Sequence, residues 1–429
     1  MSECPPKLPG KSLVSSQKTR MINFRQPTSF RFSLFTIILL TFFSLLLFLS
    51  AFSNFSLIHF PVGLNILPES SVRQPRLHFP ILLSIEKETH VPLIKGSDHF
   101  LSPLNVSQEE RMLWFKENQF RFKIIQDSPI SKRFSLRARK FFGVGCELRF
   151  FMTWISPAKA FGHREFLSLE SLFKAHDKAC LLILSQSMDS RHGKLILRPF
   201  REMDFRVLAV TPDLPFLFRN TPAETWFDDL KGGKIDPGEI PFAQNLSNLL
   251  RLSVLYKFGG IYLDTDVIVM KKFSNLRNSI GAQTMSLEPG QWSRLNNAML
   301  IFDENHPLLL EFIGEFALTF NGNRWGHNGP YLVSRVASRV HDRPGFNFTV
   351  LPPMAFYPVD WIKIGGFFQR PKNPRFSKWV SAKLRQLQQE TYAIHLWNRE
   401  SRKLRIEKGS ILGHIISKCC IFCKHVYAS

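Results

Sequence analysis

Residues 257–269 read "KFGGIYLDTDVIV" and join the end of a helix-like run, a short apolar strand and a pair of carboxylates. Gly259 suits the end of a helix, because a residue without Cβ adopts positive φ without a clash. The apolar residues after it return to extended structure and lead into Asp264 and Asp266. Like charges this close repel, and burial increases the repulsion. In a chain with a formal net charge of +22, we expect water to cover this pair or a cation to sit between its two groups.

Short apolar runs alternate with helix-like runs on both sides of this stretch. The strand candidates include "CELRFFMTW", "ACLLILS", "FRVLAV" and "NNAMLIF", and the helix candidates include "REFLSLESLFKAH", "FAQNLSNLLRLSVLYKFGG" and "HPLLLEFIGEFALTF". This alternation predicts an α/β layer fold with a largely parallel sheet. In such sheets ligands bind at the carboxyl ends of the strands, and Asp264 and Asp266 fall at a position of that kind.

The carboxylate pair suits a hard divalent cation. Mg²⁺ or Mn²⁺ usually takes one or two protein carboxylates and completes its shell with water and substrate phosphates. An Asp-X-Asp sequence alone is a weak signal, since it also occurs by chance in surface turns. Here apolar residues flank the pair on both sides, which a solvated turn would not need.

The sequence around the aspartates resembles the DXD region of the α1,4-glycosyltransferase family. The segment "LLRLSVLYKFGGIYLDTDVIV" carries the resemblance, which continues through "RLNNAMLIFDENHPLL", "WGHNGPYLVSRV" and "YAIHLWN" and, with "FFMTWISP", spans residues 146–425. Several motifs in the same order are far more specific than Asp-X-Asp alone. The resemblance implies a GT-A-type nucleotide-sugar-binding fold, which is a Rossmann-like mixed sheet with flanking helices. It also implies a retaining transferase that uses Mn²⁺ or Mg²⁺.

The substrates are also implied by the resemblance. The donor would be a UDP-sugar carrying a hexose, with galactose favoured, and the acceptor a glycan or glycolipid joined through an α1,4 linkage. UDP-N-acetylglucosamine or another nucleotide sugar is the alternative donor. Enzymes of this family are type II proteins of the Golgi membrane, so the same location is expected here.

Roles for individual residues carry over by position in the shared motifs. The implied metal ligands are Asp264, Asp266 and His395. The implied donor-binding residues are Trp154, Asn248, Arg251, Tyr262, Asp264 and Asn297. The implied catalytic residues are Asp264, Asp266, Asn297, His327 and Asn328, the last two on the acceptor side.

Several of these residues have an ordinary structural alternative. Trp154 and His395 could pack in the core, and His327 and Asn328 could cap or turn the chain before a helix. Asn248 departs from the family pattern, because many relatives carry Asp three residues before the arginine that corresponds to Arg251. Asn offers an acceptor and two donors but no charge, which leaves sugar contacts possible and the preferred donor open.

The N-terminal region predicts a membrane anchor. Residues 34–52, "LFTIILLTFFSLLLFLSAF", carry no charge and have about the length of a bilayer span. Lysines and arginines precede them in residues 1–33 and do not recur until Arg73, which predicts a cytosolic tail and a lumenal C-terminal part. A cleaved signal peptide is the competing interpretation. Proline-rich residues 53–145 predict a stem, followed by a catalytic domain at 146–429, divided into 146–285 and 286–429.

A lumenal location is consistent with the glycosylation triplets at Asn105, Asn245 and Asn347. Of the six cysteines, five would be lumenal, so one stays free or pairs between chains. Cys146 and Cys180 are the candidate disulfide. The cluster "CCIFC" at 419–423 lacks a second ligand pair for zinc.

The basic charge leaves other function classes to consider. A pI of about 10.0 indicates either an anionic partner or a generally basic surface without a specific partner, and nucleic acid is a poor candidate for a lumenal domain. A metal-dependent phosphodiester or pyrophosphate hydrolase would need a second ligand cluster for two metals. A membrane-tethered glycan-binding protein without catalysis would tolerate loss of the Asp264 and Asp266 pair.

Overall fold

The structure is a computed structural model, and it describes residues 102–143, 145–287 and 290–423. Every described residue belongs to one compact unit, residues 90–429. The predicted tail at 1–33, the predicted span at 34–52 and most of the predicted stem lie outside the described residues. Within those ranges no helix is both long and apolar enough to cross a membrane.

The strands build one large sheet and one small one. Their bounds are β1 Arg149–Thr153, β2 Cys180–Leu184, β3 Arg206–Val210, β4 Gly260–Leu263, β5 Val267–Val269, β6 Ser279–Met285, β7 Trp292–Phe302, β8 Thr349–Leu351 and β9 Ala393–His395. Seven strands form the large sheet in the order β3-β2-β1-β4-β7-β6-β8. Strands β3, β2, β1 and β4 run parallel, and β7 pairs antiparallel with β4 and with β6. The predicted α/β class with a mixed sheet is confirmed.

Helices cover both faces of the large sheet. Their bounds are α1 Gln108–Glu117, α2 Phe134–Phe142, α3 His163–Ala175, α4 Arg191–Ile196, α5 Arg198–Glu202, α6 Leu214–Phe218, α7 Pro222–Lys231, α8 Phe242–Phe258, α9 Pro307–Thr319, α10 Pro330–Val340, α11 Pro353–Phe356, α12 Gly365–Phe368, α13 Pro374–Glu390, α14 Asn398–Ser401 and α15 Ile411–Cys419.

Alternate residues of the strands point into two separate apolar layers. Phe151 and Leu182 belong to the layer that contains α8, whereas Phe150 and Leu181 belong to the layer on the other face. All four side chains are fully buried. A strand that is buried on both faces reads as a continuous apolar run, which is why the sequence identified these strands.

The small sheet connects distant parts of the chain. Strand β5 pairs antiparallel with β9, so that Val267 lies opposite His395. The N–H of Leu396 then donates to the carbonyl oxygen of Asp266 at 2.8 Å. This pairing carries a histidine from near the C-terminus to the second aspartate of the DXD motif.

The segment predicted as the end of the stem is folded and packs on the core. Helix α1 begins after Ser107, whose side chain forms a capping box with Glu110. Phe115 is fully buried, and its ring centre lies 5.2 Å from that of Phe242 on α8. The basic segment that includes α2 also buries two aromatic side chains, Phe134 and Phe142. The stem boundary at 145 is therefore wrong for the described residues, because aromatic side chains before it complete the core.

The predicted disulfide between Cys146 and Cys180 is confirmed. Cys420 pairs with Cys423, and Cys419 is the free thiol of the described residues. The glycosylation prediction at Asn245 is wrong, because this residue lies inside α8 and is 3% exposed. Asn105 and Asn347 are exposed, and their glycosylation stays a prediction.

Candidate active site

The Asp-Thr-Asp turn lies at the carboxyl end of β4, between the two sheets. Gly260 allows the strand to start close to its neighbour, because a Cβ there would come within 2.6 Å of the carbonyl oxygen of Arg149. The N–H of Asp264 donates to the carbonyl oxygen of Ala298 on β7 at 2.8 Å. Asp264 thus extends the large sheet by one bond, and the chain turns there into β5.

Asp264 is held by Arg251, which projects from α8. The two guanidinium contacts run from Nη1 to Oδ2 at 3.2 Å and from Nη2 to Oδ1 at 3.1 Å. Arg251 also donates to the carbonyl oxygens of Asn297 and Ser247 and to the Ser247 hydroxyl. Together these five contacts use all five N–H donors of the guanidinium. The structure thus gives Arg251 a positioning role, and its predicted contact with the donor stays a prediction.

Tyr262 holds the same carboxylate from below. Its hydroxyl donates to Asp264 Oδ1 at 2.8 Å and lies 2.8 Å from the Thr153 hydroxyl, while Arg251 lies 4.6 Å above its ring. The Thr153 hydroxyl in turn lies 2.6 Å from that of Ser247. Tyr262 is fully buried, so in the structure it supports Asp264, and its predicted contact with the donor stays a prediction.

Asp266 is paired with His395. Their closest atoms, Oδ1 and Nε2, lie 3.2 Å apart, and Oδ2 accepts the N–H of Asn398 at 2.8 Å. The ring of Trp397 stands perpendicular to that of His395 with a centre distance of 4.3 Å, so it packs against the histidine. Trp397 takes positive φ and is fixed by a bond from its indole N–H to the carbonyl oxygen of Val359.

The two aspartates differ in their electrostatic surroundings. Burial raises the pKa of Asp264 above its usual range despite the opposing charge of Arg251. Burial acts in the same direction on Asp266, but the charge and hydrogen bond of His395 and the Asn398 N–H outweigh it, so the pKa of Asp266 lies below its usual range. Burial lowers the pKa of His395, yet Asp266 and Asp264 together raise it. Adjacent groups with opposite shifts indicate a functional site.

These three residues fit a divalent cation. Asp264, Asp266 and His395 can each direct one ligand atom to a common point, with the three atoms within 4.8 Å of one another. Nδ1 of His395 is buried and has no hydrogen-bond partner, so the imidazole is only partly satisfied by the protein. Two carboxylates and one imidazole are a suitable ligand set for Mn²⁺. The structure thus brings together the three predicted metal ligands.

Asn248 and Asn297 lie beside this cluster. Nδ2 of Asn297 donates to Oδ1 of Asn248 at 2.9 Å, and both residues are buried. Through its carbonyl oxygen Asn297 also bonds Arg251 at 2.7 Å. The two predicted residues are therefore connected to Asp264, and their contact with a donor stays a prediction.

Trp154 lies just after β1 and packs on Phe161, with ring centres 5.1 Å apart. It is 8% exposed, and its indole N–H lies 3.3 Å from the carbonyl oxygen of Pro157. The structure supports the packing alternative for this residue.

His327 and Asn328 have structural bonds in the loop before α10. Nε2 of His327 lies 2.8 Å from the carbonyl oxygen of Thr319, and Asn328 is 2% exposed. Asn328 donates to Asn245 Oδ1 and to the carbonyl oxygen of Asn321. The structure therefore gives both residues the turn role and brings neither into the bonds of the Asp264 and Asp266 cluster.

Three further residues belong to the site and were not predicted. Thr153 and Ser247 complete the hydrogen bonds around Tyr262 and Arg251, and Asn398 binds Asp266 through its backbone. A backbone donor has no sequence signal. Ser247 lies four residues before Arg251, which places both on one face of a helix, and this spacing could have identified it.

Two family profiles match the chain. "Glycosyltransferase sugar-binding region containing DXD motif" matches residues 162–287, and "Alpha 1,4-glycosyltransferase conserved region" matches residues 301–427. The first profile includes Asp264 and Asp266, and the second includes His395.

Curated relatives match over the same region. Human lactosylceramide 4-alpha-galactosyltransferase is 32% identical over 269 residues, which cover 59% of this chain and 70% of the relative. Human alpha-1,4-N-acetylglucosaminyltransferase is 25% identical over 221 residues, which cover 48% of this chain and 58% of the relative. An uncharacterised Arabidopsis thaliana protein is 30% identical over 290 residues, and the match spans 66% of this chain but 43% of that protein.

Solved structures also show similarity. PaToxG glycosyltransferase gives a TM-score of 0.33 at 18% identity, covering 56% of this chain and 82% of that one. The glycosyltransferase GlyE of Streptococcus pneumoniae gives a TM-score of 0.35 at 11% identity, and the match covers 63% of this chain and 59% of GlyE.

Proposed function

Because this chain belongs to the α1,4-glycosyltransferase family, we propose that it transfers a hexose from a UDP-sugar to a glycan or glycolipid. Galactose is the favoured sugar, the linkage is α1,4, and the anomeric configuration is retained. The catalytic fold is of the GT-A type. The cluster of Asp264, Asp266 and His395 carries this proposal, since it offers a ligand set for one divalent ion at the carboxyl end of β4.

The charge distribution of the reaction explains this ligand set. Breaking the anomeric C–O bond leaves positive charge on the sugar and negative charge on the departing diphosphate. A Mn²⁺ or Mg²⁺ ion held by Asp264, Asp266 and His395 supplies Lewis-acid stabilisation of that diphosphate when bound. Arg251 and Tyr262 hold Asp264 in one orientation, and the Asn398 N–H does the same for Asp266. Fixed dipoles of this kind require little reorganisation during the reaction.

The competing enzyme class has less support. A two-metal hydrolase needs ligands for a second ion, and among the described residues only this one cluster of three potential ligands was found. The glycan-binding alternative does not require the cluster, whereas this chain retains all three side chains with the residues that orient them.

The identity of the donor sugar is less well supported than the type of reaction. UDP-N-acetylglucosamine is the second candidate, since a relative with 25% identity is named as an N-acetylglucosaminyltransferase. Asn248 supports keeping both donors, because it contacts Asn297 beside the cluster and lacks the charge that the family pattern has there.

We place the enzyme in the Golgi membrane as a single-pass type II protein with a lumenal catalytic domain. The apolar residues 34–52 and the basic residues before them support this location. A tag after Ser429 should be protected from protease in intact vesicles. Digestion of the tag without detergent would refute the orientation.

A donor-hydrolysis screen tests the proposed function without knowledge of the acceptor. The purified protein is incubated with a panel of nucleotide sugars, with and without Mn²⁺, and release of the nucleotide is measured. We expect release from a UDP-hexose that requires the metal. Asp303→Asn is the matched control, because this carboxylate bonds Arg277 and Asn278 outside the cluster. Equal release with and without metal would refute the proposal.

A further inference from the structure

Trp325 is an exposed aromatic residue beside the candidate active site. It lies on the loop of residues 320–329 between α9 and α10, and it is 36% exposed. The guanidinium carbon of Arg399 lies 4.2 Å from the centre of its ring. Asn398, the residue before Arg399, donates its N–H to Asp266. Trp325 thus packs on the residue adjacent to a direct contact of the metal-ligand cluster.

The same loop reaches the other side of the cluster. Gly329 lies so close to Asn248 that a Cβ would come within 2.9 Å of its Oδ1. Asn248 bonds Asn297, and Asn297 bonds Arg251, which holds Asp264. The loop is therefore linked to each aspartate through intermediate residues, and Trp325 is its exposed aromatic side chain.

The loop is fixed in place by buried hydrogen bonds. Asn328 donates to Asn245 Oδ1 at 2.9 Å and to the carbonyl oxygen of Asn321 at 2.8 Å. Gly326 takes a φ of 72°, and a Cβ there would come within 2.8 Å of the Tyr331 ring. An aromatic surface on a rigid loop binds with little loss of conformational entropy.

The partner segment is fixed as well. Arg164 donates to Asn398 Oδ1 at 3.1 Å and to the Ser401 hydroxyl at 2.8 Å, which ties both ends of α14 to α3. Arg399 on α14 is 46% exposed, and its Nε lies 3.7 Å from Glu400 Oε1, longer than a hydrogen bond.

We infer that Trp325 and Arg399 form the subsite for the acceptor sugar, an inference that rests on the proposed function. A pyranose has an apolar face of C–H groups, which packs on an aromatic ring, and hydroxyls at its edge, which accept hydrogen bonds from a guanidinium. Trp325 supplies the ring and Arg399 supplies the donors. A sugar placed there contacts Arg399, the residue after Asn398, whose backbone N–H binds Asp266.

Acceptor kinetics of the full chain test this subsite. Methyl β-glycosides of galactose, glucose, N-acetylglucosamine and galacturonate are titrated against the donor that the parent hydrolyses, and both nucleotide release and glycoside product are measured. For Trp325→Ala we expect a KM for the active glycoside raised about tenfold or more, with unchanged hydrolysis of the donor alone. The KM of Trp325→Phe for the same glycoside should fall between those of Trp325→Ala and the parent.

Phe120→Ala is the matched control. Phe120 is 67% exposed and also has an arginine, Arg121, over its ring at 5.8 Å, but it lies on a surface turn before α2. We expect this variant to keep the parent's KM for the glycoside.

The outcomes separate the two hypotheses. If Trp325→Ala keeps the parent's KM for the glycoside, or loses donor hydrolysis to the same extent as transfer, the acceptor subsite is refuted while the transferase assignment stands. If no glycoside accelerates nucleotide release in the parent, the subsite is also refuted, because it requires recognition of a single pyranose. If the parent hydrolyses no donor at all, the proposed function itself fails.

Discussion

Arg251 and Asp264 face each other through two contacts of 3.1 and 3.2 Å at the carboxyl end of β4. The arginine side chain is 3% exposed and the aspartate side chain 27%. A two-point contact fixes the plane of a carboxylate, so Asp264 presents one orientation to a ligand. The arginine is thus part of the support for the site, and its removal would leave a carboxylate charge in a poorly solvated position.

We expect Arg251→Met to lower the free energy of unfolding by roughly 3 kcal/mol, because it leaves one partner of a buried pair without the other. Donor hydrolysis should fall strongly in the same variant. The measurement is urea unfolding together with nucleotide release.

The double variant Arg251→Met, Asp264→Asn separates charge from packing. Since the second change removes the uncompensated charge, we expect it to recover part of the lost stability but none of the activity. A double variant that is less stable than the sum of the two single losses would contradict the ion-pair explanation.

Metal binding should stabilise the folded protein through the same cluster. A ligand that binds only the native state adds about 2.7 kcal/mol at a hundred times its Kd, so Mn²⁺ should raise the Tm. Asp266→Asn and His395→Gln should each remove most of this rise and abolish metal-dependent nucleotide release. Asp303→Asn should keep it. If Asp266→Asn shows the parent's Mn²⁺-induced rise in Tm, the metal assignment is wrong.

The folded segment at 107–142 makes a prediction about truncation. A protein lacking residues 1–145 loses Phe115, Phe122 and Phe134, all fully buried, and also the pair between Arg111 and Asp236. Removing several large core side chains costs on the order of 5 kcal/mol or more, which is comparable to the stability of a whole domain. We expect this protein to be insoluble or unfolded, as judged by soluble yield and thermal unfolding.

A protein lacking only residues 1–101 is the control, because it retains α1 and α2. We expect it to be soluble and to hydrolyse the donor. A soluble, cooperatively unfolding protein that starts at 146 would show that these helices do not contribute to the core.

His176 predicts a dependence of stability on pH. It is 5% exposed, lies 5.1 Å from the rings of both Phe150 and Phe273, and burial together with the charge of Lys272 lowers its pKa to about 4. At a pH above the ordinary histidine pKa of about 6.5, the ring is neutral in both the folded and the unfolded protein, so it does not change the free energy of unfolding. At a pH between the lowered pKa and the ordinary pKa, His176 takes up a proton only in the unfolded protein. The free energy of unfolding therefore falls as the pH falls through this range.

His176→Phe should remove this contribution. The variant should lose less stability than the parent between pH 6.5 and about 4, as measured by urea unfolding at several pH values. The exposed His192 provides the control, and His192→Gln should follow the parent. Parallel pH profiles of the parent and His176→Phe would show that His176 is not responsible.

The sequence predicted those parts of the site that are formed by residues close together in the chain. The strand before Asp264 and the turn to Asp266 follow from apolar runs, a glycine and spacing. His395 was predicted from a family motif, and nothing in its own surroundings indicated that β9 would pair with β5. The positioning role of Arg251 was not predicted, because its hydrogen-bond acceptors come from three separate segments that meet only in the fold.

The stem boundary failed for a related reason. Helix α1 is capped by Ser107, but its burial depends on Phe242, which is far along the chain. Prolines and basic residues before Gly145 indicated an extended segment, whereas the aromatic residues among them determine the packing. Asn245 shows the same limit, since a glycosylation triplet carries no information about burial inside a helix.

Asn248 offers a test of donor preference. Its Oδ1 accepts from Asn297, and Gly329 packs against it. Asn248→Asp keeps this acceptor and adds the charge of the family pattern near Arg251. Because a buried polar contact with a substrate hydroxyl discriminates strongly between donors, we expect the ratio of kcat/KM for UDP-galactose and UDP-N-acetylglucosamine to change by about tenfold.

Two controls distinguish a charge effect from displacement of the side chain. Gly329→Ala pushes Asn248 away without changing its chemistry, so it should lower both rates and leave their ratio near that of the parent. Asn248→Ala removes the bond to Asn297 and should lower both rates as well. If Asn248→Asp gives the same ratio as the parent, Asn248 does not set the donor preference, and other residues around Asp264 do.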